Sequence, residues 1–301
     1  MAIGYATDVP HTTLVTTDLL AAHLSGGGSP GAAEGGWVVI DCRFDLAKEN
    51  WGLEQYRVAH IPGAVYASLN RDLAGAKTGL NGRHPIPPVE ALAAIFSRLG
   101  IGPETQVVAY DQDTGMYASR LWWTLRYLGH DAVAVLDGGW AKWQREGRPV
   151  KSGDEMNVAT PFRARPRDEM RLAVEDVERL VGARGVMLVD ARGPERFEGV
   201  SEPLDRVAGH IPGAVNHFYK QNLSGEGTML PGEALKQKFE ALLKGCAPAD
   251  VVMYCGSGVS ACHNLLALEH AGITGVRLYP GSWSEWSADQ KRPIETGPAK
   301  R

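Results

Sequence analysis

Short apolar runs alternate with amphipathic stretches along the whole chain, and the alternation is played out twice. In the second half, MRLA (170–173) reads as a strand leading into a helix over VEDVERLVGA (174–183), and MLVD (187–190) reads as a buried strand. Pro231 and Gly232 open a helical pattern that sets Leu235, Phe239 and Leu242 on one face. VVMY (251–254) is a further buried strand, ACHNLLALEHAGI (261–273) a helix, and VRLYP (276–280) a strand. The first half follows the same order, with helices expected over 88–99 and 116–128. Apolar strands between amphipathic helices imply a parallel sheet with helices on both faces. The fold class is therefore α/β.

The two halves also share words. HIPGAV occurs at 60–65 and again at 210–215. An apolar run ending in an acid precedes each copy, VVIDCR at 38–43 and MLVDAR at 187–192. VVAYD (107–111) and VVMYC (251–255) follow, then LDGGWAKW (136–143) and YPGSWSEW (279–286). The period is far too long for a solenoid repeat, so a duplicated globular domain is expected. Pro, Gly and charge interrupt the pattern over 151–168, which places domains at 10–152 and 168–297. A length of 301 residues agrees with two domains.

A formal net charge of -4 argues against a nucleic-acid-binding surface. No apolar run approaches the roughly 18 residues of a membrane span. The N-terminus lacks a basic region before an unbroken apolar stretch, and Leu19–Leu24 is short and interrupted by His23. A cytoplasmic protein is expected. Cys42, Cys246, Cys255 and Cys262 form neither a disulfide framework nor a C-x-x-C pair. The grouping Cys255, Cys262, His263 and His217 matches no common zinc spacing, so neither metal nor cofactor is expected.

Cys255 stands directly after a buried strand, and Gly256-Ser257-Gly258-Val259-Ser260 leads from it into a helix. Ligands of open parallel sheets bind beyond the carboxyl ends of the strands. Two glycines let the turn curl tightly, so that successive N–H groups can converge on an anion at a helix N-terminus. Such a nest lowers the pKa of a thiol at its centre and would equally hold a persulfide. The alternative is a buried structural cysteine, which has no need of Gly-Ser-Gly beside it. In the first repeat, Asp111 occupies the position of Cys255.

CGSGVSA (255–261) resembles the active-site loop of the rhodanese superfamily, and most of all its mercaptopyruvate-using branch. HIPGAV, the DGGW and GSWSEW blocks and the duplicated layout resemble the family too, so the likeness covers nearly the whole chain. It implies two tandem rhodanese-like domains, the first lacking the nucleophile. It also implies a ping-pong transfer: Cys255 takes sulfur from a small-molecule donor as a persulfide and passes it to cyanide, a thiol or thioredoxin. Gly256, Gly258, Val259 and Ser260 would line the substrate. Ser260 stands where the family usually has Thr, and a helix N-cap is its expected role. Ser257 would help protonate the departing enolate, or else cap the loop. Arg196, in ERFEG, matches the family's first carboxylate-binding arginine, and Arg206 is the second candidate; the alternative for each is a surface arginine. His60 either braces its loop, as the matching His210 suggests, or faces the site from the first domain. The role of Arg83 and His84, in NGRHP, stays open. Cys262 reads as a packed helix residue, and Trp140, Trp143, Trp283 and Trp286 read as core.

Rival readings are weaker. A Cys-x5-Arg phosphatase needs an arginine where this chain has Ala261. A non-catalytic persulfide carrier would show no turnover with small donors. Thiosulfate is the alternative donor, but the loop lacks the Arg and Lys that would attract a dianion.

Overall fold

The computed structural model describes residues 9–26 and 36–299; residues 1–8, the start of the stretch read for a leader, lie outside them. The first half contains β1 (Leu14–Val15), α1 (Thr17–Ser25), β2 (Trp37–Asp41), α2 (Trp51–Val58), β3 (Val65–Tyr66), α3 (Val89–Arg98), β4 (Gln106–Tyr110), α4 (Met116–Tyr127), β5 (Val133–Leu136) and α5 (Gly139–Arg145). Its five-stranded sheet has the order β1-β5-β4-β2-β3, and every pairing is parallel. The second half contains α6 (Val174–Leu180), β6 (Met187–Asp190), α7 (Pro194–Phe197), β7 (Val215–Asn216), α8 (Gly232–Leu243), β8 (Val251–Tyr254), α9 (Ser260–His270), β9 (Arg277–Leu278) and α10 (Ser282–Trp286). Its four-stranded parallel sheet, β7-β6-β8-β9, repeats the order of the first without the counterpart of β1.

That missing strand is the MRLA segment. A 3-10 turn takes Asp168–Met170, and only Arg171 bridges Leu278 in parallel. The chain must leave the sheet at once, because the Ala173 N–H already donates to the Asp176 carboxylate at the start of α6, 3.0 Å away. On α8 the buried face is Leu235, Phe239 and Leu243, at strict four-residue spacing; Leu242, expected on that face, is only partly buried. Segment 151–168 crosses between the halves without helix or strand up to Asp168, apart from a bridge from Lys151 to His60.

Side chains of a strand point alternately to opposite faces, and both faces here are covered. Val38 and Ile40 of β2 enter one apolar cluster and Val39 enters another. Val251 and Met253 of β8 divide from Val252 and Tyr254 in the same way. The inner clusters of both halves merge into one core, which includes Leu121 and Leu125 of α4 and Leu265 and Leu268 of α9. The four matched tryptophans lie buried in the outer layers. Among the described residues no helix is long and apolar enough to cross a membrane.

The repeated words have repeated jobs. Asp41 holds Arg43 and Asp190 holds Arg192 in buried ion pairs, each at 2.6 Å. These guanidiniums stack over Trp140 and Trp283 at 4.6 and 4.8 Å. His60 Nδ1 lies 2.7 Å from the Tyr56 carbonyl and His210 Nδ1 2.7 Å from the Phe197 carbonyl. Both rings are buried and stacked on those same aromatic residues. Of the two readings of His60, the one that faces the Cys255 site is corrected: the ring is turned into its own half and bound there.

Asp111, at the carboxyl end of β4, accepts hydrogen bonds from the N–H groups of Asp113, Gly115, Tyr117 and Ala118 at 2.7–3.3 Å. The nest of the first half is thus filled by the chain's own carboxylate. Burial pushes that carboxyl up to about 6, against the pull of the N–H bonds. Asp111→Ala leaves several buried N–H groups unsatisfied at once. It should cost on the order of 3 kcal/mol, read as a lower urea midpoint with an unchanged slope.

Candidate active site

Cys255 follows β8 directly and α9 begins at Ser260. Gly258 turns the chain between them at φ +72°, and a Cβ there would meet the Pro280 carbonyl oxygen at 2.4 Å, so no other residue fits. The GSW block braces the loop from behind. Ser282 Oγ accepts from the Cys255 N–H at 3.1 Å, while the Trp283 and Ser284 N–H groups donate to the carbonyls of Cys255 and Gly256 at 2.9 Å. Ser282 itself sits at φ +56°, a left-handed conformation unusual for a residue with a side chain.

The thiol is 2% exposed and lies in a cavity of about 360 Å3 lined by both halves, among them Leu46, His84 and Tyr117 from the first and Arg196 and Phe218 from the second. Burial raises the Cys255 pKa, but the Ser260 hydroxyl and the N–H groups of Ser257 and Ala261 bond to the sulfur and outweigh it. The net shift is below the ordinary thiol value. Ser260 therefore does not cap α9 as expected. Val259 holds the cap position and makes no side-chain cap bond, which leaves the Ser260 hydroxyl turned to the sulfur.

Ser257 is buried, and its Oγ lies 2.7 Å from His84 Nδ1. Burial, followed by the charges of Arg120 and Arg83, pushes the His84 pKa down to about 3. The imidazole is neutral near pH 7 and offers one donor and one acceptor, so a proton can pass along the pair in either direction. Sequence reading left His84 without a role because its partner lies 173 residues away. The signal that was present is a histidine beside an arginine in a Pro- and Gly-bounded loop.

Arg196 lines the cavity, with Nε and Nη2 on Glu202 at 3.0 and 2.7 Å and Nη2 also 3.1 Å from Asp205. Arg206 does not line it: its Nε donates to the Ser287 carbonyl at 3.0 Å, and it borders an adjoining cleft with Lys77 and Asp205. The expectation for Arg206 is thus corrected: it is bound to that backbone carbonyl and is absent from the lining of the Cys255 cavity. In its place stands Arg83, ion-paired to Asp205. Gly256 makes room for both cations, because a Cβ there would lie 2.6 Å from Arg83 Nη2 and 3.4 Å from Arg196 Nη2. Cys262 donates to the Gly258 carbonyl at 3.2 Å, and burial pushes its thiol up to about 12. Among the described residues no group of three or more His, Cys, Asp or Glu side chains could hold a metal ion.

A rhodanese-like domain model matches residues 30–146 and matches again over 173–289. The chain belongs to the rhodanese family. It is 43% identical over 286 residues to a Pseudomonas aeruginosa protein named a probable 3-mercaptopyruvate sulfurtransferase, covering 94% of this chain and 98% of that one. It is 39% identical over 267 residues to a Mycobacterium tuberculosis protein named as a candidate thiosulfate sulfurtransferase, covering 87% of this chain and 91% of that one. Among solved structures, a 3-mercaptopyruvate sulfotransferase of Escherichia coli superposes with a TM-score of 0.75 at 30% identity, covering 91% of this rhodanese-family chain and 99% of that one.

A histidine whose pKa is depressed on folding contributes stability that is complete above the unfolded value and is lost as pH falls. For His84 that loss runs from about 6.5 downward toward about 3. In His84→Asn, which keeps a polar atom toward Ser257, unfolding should no longer take up this proton. The pH dependence of the urea unfolding free energy between pH 6 and 4 should flatten by about 1.4 kcal/mol per pH unit relative to wild type.

Proposed function

We propose that this rhodanese-family protein is a sulfurtransferase that takes sulfur from 3-mercaptopyruvate on Cys255 and passes it to a thiophilic acceptor. The observation that carries the reading is the buried Cys255 thiol, bonded by Ser260, Ser257 and Ala261 and held below its ordinary pKa. Its thiolate attacks the donor sulfur, a sulfur–sulfur bond forms, and the donor's carbon–sulfur bond breaks with its electron pair left on carbon as an enolate. Ser257 gives a proton to that carbon and is reprotonated through His84, so pyruvate leaves and the persulfide remains. The loop N–H groups that held the thiolate hold the persulfide anion. The acceptor then attacks the outer sulfur and restores the thiolate.

Arg196 binds the donor carboxylate, and Gly256 and Val259 shape the cavity around it. The first domain, over 10–152, supplies the wall with His84, and the second, over 168–297, supplies the nucleophile. Cyanide, low-molecular-weight thiols and thioredoxin are the acceptors this chemistry suits, and the cytoplasm is the compartment that supplies the thiols. The name of the Mycobacterium relative favours thiosulfate as a second donor.

Steady-state transfer to cyanide should run with a higher kcat/KM from 3-mercaptopyruvate than from thiosulfate and be abolished in Cys255→Ser. A preference for thiosulfate would overturn the donor assignment, and absence of turnover from folded protein would overturn the enzyme reading. Ser260→Ala removes a hydrogen bond to the thiolate. The midpoint of the alkylation-rate profile with iodoacetamide should rise by about one pH unit. Arg196→Ala should weaken donor binding by on the order of 1.5–3 kcal/mol, seen mainly in KM.

A further inference from the structure

Charges from separate segments meet at the mouth of the Cys255 cavity. Arg83 comes from the loop before α3, with Nη1 on Asp205 and Nη2 against Gly256. Arg196 comes from α7, with Nη2 between Glu202 at 2.7 Å and Asp205 at 3.1 Å. Its Nη1 and Nη2 would stand 3.5 and 3.4 Å from a Cβ on Gly256, where Arg83 Nη2 would stand 2.6 Å away. Asp205 therefore bridges two guanidiniums, one from each half of the chain, and both overhang the residue next to the nucleophile. Behind them Arg192 joins Asp190 at 2.6 Å and Glu202 at 3.2 Å. Arg83, Arg192 and Arg196 face Asp190, Glu202 and Asp205, so the formal charge of the cluster is zero. The side chains of Asp205 and Glu202 are only 5% and 2% exposed, which limits screening by solvent.

We propose that Asp205 determines donor selectivity: by neutralising the Arg83 and Arg196 pair it fits the cavity to a donor carrying one negative charge and sets it against a dianion. This rests on the sulfur-transfer reading above and adds Arg83 as the second donor-binding cation, in the place expected for Arg206. A carboxylate is satisfied by N–H donors arranged in a fork, which Arg83 Nη2 and Arg196 Nη1 supply from the two domains. Such directed hydrogen bonds persist in a cluster of zero net charge. A thiosulfate dianion brings a second charge, which the Asp205 and Glu202 carboxylates beside the two arginines oppose, and its desolvation penalty is larger because that penalty grows with the square of the charge. The neutral Gly256–Ser260 loop leaves the same balance in place.

The test compares full-length wild type, Asp205→Asn and Asp205→Glu for kcat/KM with 3-mercaptopyruvate and with thiosulfate, cyanide being the acceptor, at low and high salt. Asparagine keeps the shape and removes one negative charge. The ratio of the two kcat/KM values, mercaptopyruvate over thiosulfate, should then fall by about tenfold, through a lower KM for thiosulfate and most strongly at low salt. Glutamate keeps the charge and should keep the ratio. An unchanged ratio in folded Asp205→Asn, or the same change in both variants, overturns the proposal. If Asp205→Asn does not fold, Asp205→Ser removes the same negative charge and must lower the ratio; a ratio unmoved or raised there overturns it equally. Wild type inactive with both donors would overturn the sulfur-transfer reading and this inference with it, whereas active wild type with an unmoved ratio sinks this inference alone.

Discussion

The Arg120 guanidinium of α4 is completely buried and, among the described residues, has no carboxylate paired with it. It donates to the Gly258 carbonyl of the Cys255 loop at 2.9 Å, to the His84 carbonyl at 3.0 Å and to the Leu73 carbonyl at 3.2 Å. One side chain of the first half thus ties the Cys255 loop to the wall that carries His84 and Arg83. A buried cation without its hydrogen bonds would cost several kcal/mol, so the two halves cannot separate without exposing or orphaning it. Burial lowers the Arg120 pKa, while attraction to the Cys262 and Cys255 sulfurs raises it. The cation therefore also favours negative charge on the sulfur it helps to enclose. Everything that lies across the domain boundary, including the His84–Ser257 bond and the paired arginines over Gly256, relies on that joint.

The two nests show how one backbone device takes two occupants. At the end of β4 the N–H groups close on the Asp111 carboxylate, which is covalently part of the chain and leaves no room for chemistry. At the end of β8 similar groups, joined by the Ser260 hydroxyl, close on a sulfur that can change its charge and form a new bond. The first nest has become a fastening, and α4, which starts there, presents Arg120 to the second. Of the two repeats only the second places a thiol in its nest, and the first, with Asp111 in the matching place, supports it.

The arginines follow a different logic. Arg196 and Arg83 reach the cavity already paired with Glu202 and Asp205, so neither presents bare charge there. Full pairing lets several cations be held close together at low exposure, where like charges alone would repel. It also means that counting basic residues near the loop says little about which anions are welcome.

Periodicity by itself determined the α/β class, a parallel sheet in each half and Cys255 in its Gly-rich turn, because each is written in residues close together in the chain, and repeated words such as HIPGAV gave the duplication. The strand–turn–helix geometry that makes a nest is local, and so is its demand for glycine at Gly258. The lapse of MRLA to a single bridge at Arg171 was not legible, since it depends on where α6 must begin against the sheet. Nor was the direction of a side chain whose partner is distant in sequence. Only the tertiary structure turned His60 inward onto Tyr56, drew Arg206 away to Ser287, and brought His84 and Arg83 from the first half to Ser257 and Asp205 of the second. Local pattern specifies elements because backbone preferences act over a few residues. The site lies between two domains, and what meets there is decided by how α4 and α9 pack.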